Sequence, residues 1–225
     1  MKIERILCFG AAPSRIESEF PLIHPETDFV IALDGGLHCL LSHQITPQLF
    51  IGDCDSLSSD LQNWLHQTNI PKILYPTEKD ESDYELASQF IISHFSFPIP
   101  IFLFHMSGGR TDHFLMNLSV SKQLSMKGFY VEFIDTFEKI IISNGTKPIE
   151  ISSHSITNVS LYPLTDVVEG ITTHNLKYPL VEESLLQNSS RGLSNVPIGE
   201  KMIIIHKRGI LAILLIFGGK NENLC

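Results

Sequence analysis

Between Ile3 and Asp135, six short apolar runs (ERILCF, DFVIAL, QLFI, KILY, IPIFLF and YVEFID) alternate with stretches of helical spacing. That alternation limits the fold more than any other feature of the chain. Runs this short, β-branched and continuous read as strands buried on both faces, and strands alternating with helices give a doubly wound, mostly parallel α/β sheet. Four of the runs lead into acidic motifs: Asp34-Gly35-Gly36, Gly52-Asp53-Cys54-Asp55-Ser56, Asp80-Glu81-Ser82-Asp83, and Gly108-Gly109-Arg110-Thr111-Asp112-His113. The acids therefore fall at strand carboxyl ends, where open α/β sheets bind ligands. Carboxylates gathered in one crevice repel one another unless a cation sits among them, and hard oxygen ligands suit Mg²⁺. The expected cargo is metal-bound phosphate.

The chain has 225 residues, enough for one large domain or two modest ones, and its 43% hydrophobic content argues against disorder. A formal charge of −9 with no basic patch argues against nucleic-acid binding. Cys8, Cys39, Cys54 and Cys225 form no CxxC pair, and the start MKIERILCFG lacks the apolar core of a signal peptide, so the expected setting is reducing and cytoplasmic. The apolar stretch from Met202 to Phe217 is broken by His206-Lys207-Arg208-Gly209, which leaves neither half long enough to cross a bilayer and suggests a hairpin.

Ser82-x-x-Glu85 matches a capping box ahead of YELASQFIISHF, placing Asp83 in the first turn of a helix. A second helix is expected from Thr111 or Asp112 to Gly128, with Phe114, Leu115, Leu118 and Leu124 on one face and His113 and Asn117 four residues apart. After Thr136 the pattern changes to short strands and turns, and Asn144-Gly145 is a strong hairpin signal. The expected organisation is an α/β domain over residues 1–136 and a small all-β domain, a sandwich or partial barrel, over residues 137–225.

Each motif also has a plainer reading. Asp34-Gly35-Gly36 is either a tight strand-to-helix turn or a place where backbone N–H groups meet phosphate. Asp53 and Asp55, one residue apart on a loop, can share a cation while Ser56 caps the next helix. Cys54 between them is disfavoured as a thiolate by its neighbours. Asp80 to Asp83 alone would suit any solvated helix start. Gly108 to His113 is the most specific: Arg, Asp and His beside two glycines serve no packing purpose, and the Gly-Lys-Ser/Thr ending of a Walker A loop is missing.

In order and spacing, ALDGG, IGDCDSL, DESDYELA and GGRTDHFLMNL resemble the thiamine pyrophosphokinase family, and Ser190-Arg191-Gly192-Leu193-Ser194-Asn195 is similar to that family's Ser-Asn element. The resemblance implies an N-terminal α/β catalytic domain and a C-terminal β-sandwich for thiamine binding and dimerisation. It also implies a homodimer whose active sites lie between subunits. The implied reaction transfers pyrophosphate from ATP to the hydroxyethyl oxygen of thiamine, giving thiamine diphosphate and AMP. By the same resemblance, Asp53, Asp55 and Asp83 hold Mg²⁺, and Asp34, Gly35, Gly36 and Arg110 hold ATP. Asp112, His113, Asn117, Ser194 and Asn195 then shape the thiamine end, and Asp53, Asp55, Asp83, Arg110 and Asp112 are the implied catalytic groups. Relatives often carry a basic residue where this chain has Glu81, with Lys79 nearby, and some have an aromatic residue after the Ser-Asn pair where this chain continues Val-Pro-Ile. Both differences bear on substrate affinity.

Three alternatives share parts of the pattern. One is a diphosphokinase for another small alcohol such as a hydroxymethyl pterin. Another is a haloacid-dehalogenase-type phosphatase, whose Asp-x-Asp motif FIGDCDSL superficially matches. The third is a sensor that binds thiamine or nucleotide without turnover.

Overall fold

The computed structural model describes residues 2–13, 20–76, 78, 80–95 and 99–218; Lys79 and Cys225 lie outside them. The chain divides into two compact units, Met1–Asp135 and Thr136–Cys225.

In the first unit the elements run β1 (Arg5–Phe9), β2 (Asp28–Leu33), α1 (Gly36–Ser42), β3 (Leu49–Gly52), α2 (Ser59–Gln67), β4 (Lys72–Leu74), α3 (Asp83–His94), β5 (Ile101–Phe104), α4 (Thr111–Met126) and β6 (Val131–Ile134). The strands are parallel and ordered β4-β3-β2-β1-β5-β6. The apolar runs become central strands because both faces are covered. Leu7, Phe9, Val30, Ala32 and Phe50 pack with Leu37 and Leu40 of α1 and Leu65 of α2 in one core, with Trp64 at its margin. Tyr84 of α3 is buried and its hydroxyl meets Ser121 Oγ of α4 at 3.0 Å.

Two helix expectations are refined. Ser82 Oγ accepts the Glu85 N–H at 3.2 Å, so α3 starts where the capping signal places it. On α4, Leu118 and Leu124 are buried and Phe114 meets the Phe133 ring edge-on, but Leu115 is exposed, so the apolar stripe is narrower than its spacing suggests.

The second unit contains β7 (Glu138–Ser143), β8 (Ile149–Ser152), β9 (Ile156–Pro163), β10 (Val167–His174), β11 (Glu183–Leu186), β12 (Lys201–Ile205) and β13 (Leu211–Phe217). These make two antiparallel ladders, β7-β13-β9 and β11-β10-β12-β8. Both expected hairpins are corrected here. Asn144-Gly145 turns the chain, yet β7 pairs with β13 and β8 with β12; likewise β12 and β13 belong to different ladders. Turn chemistry bends a chain locally, while the partner of each strand is chosen by which apolar face it must bury.

Candidate active site

Asp34 follows β2 directly, with φ +40°, a left-handed conformation uncommon outside glycine. It is 7% exposed. Its backbone N–H continues the ladder to Ile51, and its carboxylate accepts the Cys54 N–H at 2.9 Å and the Ser56 hydroxyl. Ser56 therefore does not cap the following helix as expected; Ser58 does, accepting the Leu61 N–H. The helix α1 begins directly above the end of β1. A Cβ on Gly36 would lie 1.9 Å from the Phe9 carbonyl oxygen, so only glycine lets the two backbones come this close.

Asp53 Oδ1 accepts the Asp55 N–H at 3.1 Å, which turns the loop after β3 back on itself. Asp34, Asp53 and Asp55 each offer a carboxylate oxygen within 4.8 Å of the others. The resulting repulsion is visible in the exposed Asp55, whose carboxyl pKa is pushed up first by Asp53, then by slight desolvation, Asp34 and Asp83. Asp83, the first residue of α3, thus lies within electrostatic reach of the group without belonging to its closest set of oxygens. The Cys54 thiol is also pushed up, by burial and then by Asp34, Asp53, Asp55 and Asp83, which leaves it protonated.

After β5 the chain passes through Gly108 and Gly109, both left-handed, to the exposed pair Arg110 and Asp112. The guanidinium donates twice to the carboxylate, at 3.2 and 2.7 Å. These bonds, with the His113 N–H at 2.9 Å, hold the Asp112 carboxyl at about 2. The His113 side chain is exposed, and Asn117 Nδ2 donates to the Met106 carbonyl at 2.9 Å. Asn117 thereby fixes the loop that carries Gly108 and Gly109.

In the second unit Ser194 is exposed and left-handed, while Asn195 is 6% exposed. The Asn195 backbone exchanges two 2.8 Å hydrogen bonds with Val159 of β9. Its side chain clasps Tyr178, accepting the Tyr178 N–H at 3.0 Å and donating to its carbonyl at 2.7 Å, and it also accepts the Val196 N–H at 2.9 Å. The Tyr178 ring so held is 56% exposed, with Lys177 Nζ 5.4 Å from its centroid. Ser56 and Tyr178 are candidate residues that the sequence did not single out. Ser56 reads as a cap, and Tyr178 is one aromatic in a Lys-Tyr-Pro turn until its clasp by Asn195 is seen.

The sequence model described as the thiamin pyrophosphokinase catalytic domain matches residues 20–133, and that described as its vitamin B1 binding domain matches residues 140–211. The thiamine pyrophosphokinase of Bacillus subtilis is 26% identical over 185 residues, 82% of this chain and 85% of that protein. A crystal structure of thiamine pyrophosphokinase from Bacillus subtilis superposes with TM-score 0.82 at 23% identity, covering 96% of this chain and all of that one. A thiamin pyrophosphokinase family protein from Enterococcus faecalis gives TM-score 0.79 at 26% identity, with the same coverage. With the catalytic-domain match alone spanning more than half its length, the chain belongs to the thiamin pyrophosphokinase family.

Proposed function

We propose that the protein transfers the pyrophosphoryl group of ATP, in the presence of Mg²⁺, to the hydroxyethyl oxygen of thiamine, releasing AMP. The observation that carries this reading is the convergence of the Asp34, Asp53 and Asp55 carboxylates at the ends of β2 and β3. The set fits a hard divalent cation: every donor is oxygen, and the mutual repulsion that raises Asp55 calls for positive charge among them. Asp53 and Asp55 would hold the ion, with Asp34 bracing their loop and Asp83 adding charge from α3. Bound there, Mg²⁺ would supply charge stabilisation for the phosphates as the bridging bond breaks.

The side chains of this chain account for the remaining steps. Thiamine's hydroxyl oxygen attacks the β-phosphorus as its proton passes to solvent water, and the bond from the β-phosphorus to the α,β-bridging oxygen breaks to leave AMP. Arg110, with five fixed donors, is suited to the triphosphate, and its present pairing with Asp112 holds the fork in place beside Gly108 and Gly109. Gly35 and Gly36 allow close backbone approach to phosphate. Asp112, held at about 2, is a weak base, so its part is to orient Arg110 and the substrate rather than to pull the hydroxyl proton early. Asn117 and Asn195 act by fixing backbone, at Met106 and Tyr178 respectively, while His113 and Ser194 stay exposed for substrate.

Tyr178 supplies the aromatic face not found after Asn195 in sequence, and a cation already lies over it. The assembly we infer is a cytoplasmic homodimer with residues 137–225 providing thiamine binding and dimerisation. Among the described residues no helix is long and apolar enough to cross a membrane. Incubation with Mg²⁺, ATP and thiamine should produce AMP and thiamine diphosphate in equal amounts; ATP hydrolysis to free phosphate without thiamine diphosphate would contradict the reading.

A further inference from the structure

The strand order of the first unit reverses at β1, with β4, β3 and β2 on one side and β5 and β6 on the other. Chain leaving β1 and β5 therefore departs toward opposite faces of the sheet, and ligands of such sheets settle in the crevice this opens. Asp34, Asp53 and Asp55 lie beyond β2 and β3, one and two strands away, while Gly108, Gly109, Arg110 and Asp112 follow β5 beside the reversal point, with Gly109 against Pro13. That point is lined by Gly10-Ala11-Ala12-Pro13 after β1 and by His105 after β5.

The two segments are tied closely. Gly10 N–H donates to the Phe104 carbonyl and Ala12 N–H to the His105 carbonyl, both at 2.9 Å. A Cβ on Gly10 would lie 2.7 Å from the His105 carbonyl oxygen. His105 itself has φ +55°, a costly conformation for a residue with a bulky side chain. Its half-buried ring places Nε2 3.4 Å from Cys39 Sγ on α1 and makes a further hydrogen bond to the Ala12 backbone. Burial pushes the Cys39 thiol up, so its S–H donates and Nε2 accepts, which leaves the other ring N–H for Ala12. Burial also favours the neutral ring, with Ala12, Asp135 and His43 the other groups acting on it. One strained residue thus joins β5, the turn after β1 and the first helix.

We propose that His105 is a positioning residue for the nucleotide, its ring pinning the Gly10 to Pro13 turn in the shape that receives the adenosine monophosphate portion of ATP. The phosphates being transferred then reach toward the acids at β2 and β3. This rests on the pyrophosphoryl-transfer reading above. The test compares the wild type with His105→Ala, His105→Asn and Cys39→Ala, measuring AMP binding by calorimetry, KM for ATP, KM for thiamine and melting temperature. His105→Ala is expected to weaken AMP binding and raise KM for ATP by about tenfold, with KM for thiamine within about twofold. Asn tolerates the left-handed backbone and keeps a donor, so His105→Asn should recover AMP binding to within about threefold of wild type. Cys39→Ala, which keeps the ring but removes its donor, should weaken AMP binding about threefold and serves if His105→Ala does not fold. Unchanged AMP affinity in the variants, or an equal rise in both KM values with a lowered melting temperature, would overturn the proposal. A wild type that makes no AMP from ATP and thiamine would instead count against the underlying reaction.

Discussion

At the scale of single residues, candidate side chains within each unit spend their hydrogen bonds on backbone. Asp34 holds the loop of Asp53 and Asp55, Asn117 holds Met106, and Asn195 holds Tyr178. Asp55→Asn leaves the loop's shape intact while removing a charge from the cation site, and turnover should fall by about a hundredfold. Steady-state kinetics across a Mg²⁺ series checks this; full activity at saturating Mg²⁺ would remove Asp55 from the site. Asn195→Ala strips three hydrogen bonds from a buried position and should cost about 2 to 3 kcal/mol by denaturant unfolding, with KM for thiamine rising more than KM for ATP. Ser194 and Asn195 could be read as a pair from sequence, but the pairing of Asn195 with Tyr178 could not. A side-chain amide that bridges to a backbone 17 residues away leaves no periodic trace in sequence.

At the scale of elements, the parallel strands were legible because burial on both faces forces continuous apolar runs, and the acids at their ends followed from strand polarity alone. The antiparallel half was legible only as strands. Asn144-Gly145 marks a bend, but whether β7 and β8 pair is decided by Ile140 and Ile142 finding Leu214 and Ala212 across the β13 ladder. One buried polar contact joins α3 and α4. Tyr84→Phe removes the α3 to α4 bond with Ser121 and should cost about 1 kcal/mol, read as a shift in the denaturation midpoint without change in KM for either substrate.

The β1 and β2 strands share a second polar anchor. Asp28 is fully buried and accepts Arg5 Nε and the His24 N–H, each at 2.8 Å. Burial pushes its carboxyl up, but the Arg5 and His24 bonds outweigh this and the net shift is downward. A lowered folded pKa contributes stability above the ordinary carboxylate value near about 4 and loses it as pH falls through the folded value. The pair's own contribution to stability should therefore decline only in strongly acidic solution. Arg5→Ala leaves Asp28 buried without its cation and should cost about 3 kcal/mol near neutral pH. The deficit should shrink as acid protonates Asp28; a deficit independent of pH would contradict this account of the pair.

At the scale of the whole molecule, two compact units match the two family domains in order along the chain. The reversal of strand order at β1 was implicit in a doubly wound reading, yet which two strands flank it depends on the crossing from α3 to β5, and no local residue pattern encodes that crossing. Hence the acids at the ends of β2 and β3 could be found from sequence, while His105 and the turn after β1 could not. The central claim concerns the fate of the phosphates. Phosphorus NMR of the purified protein with Mg²⁺, ATP and thiamine, followed by oxidation of the product to its fluorescent thiochrome, tests it most directly. The account predicts AMP and thiamine diphosphate appearing together at one to one, with neither formed when thiamine is omitted; free phosphate and ADP, or AMP formed only with a different alcohol, would contradict it.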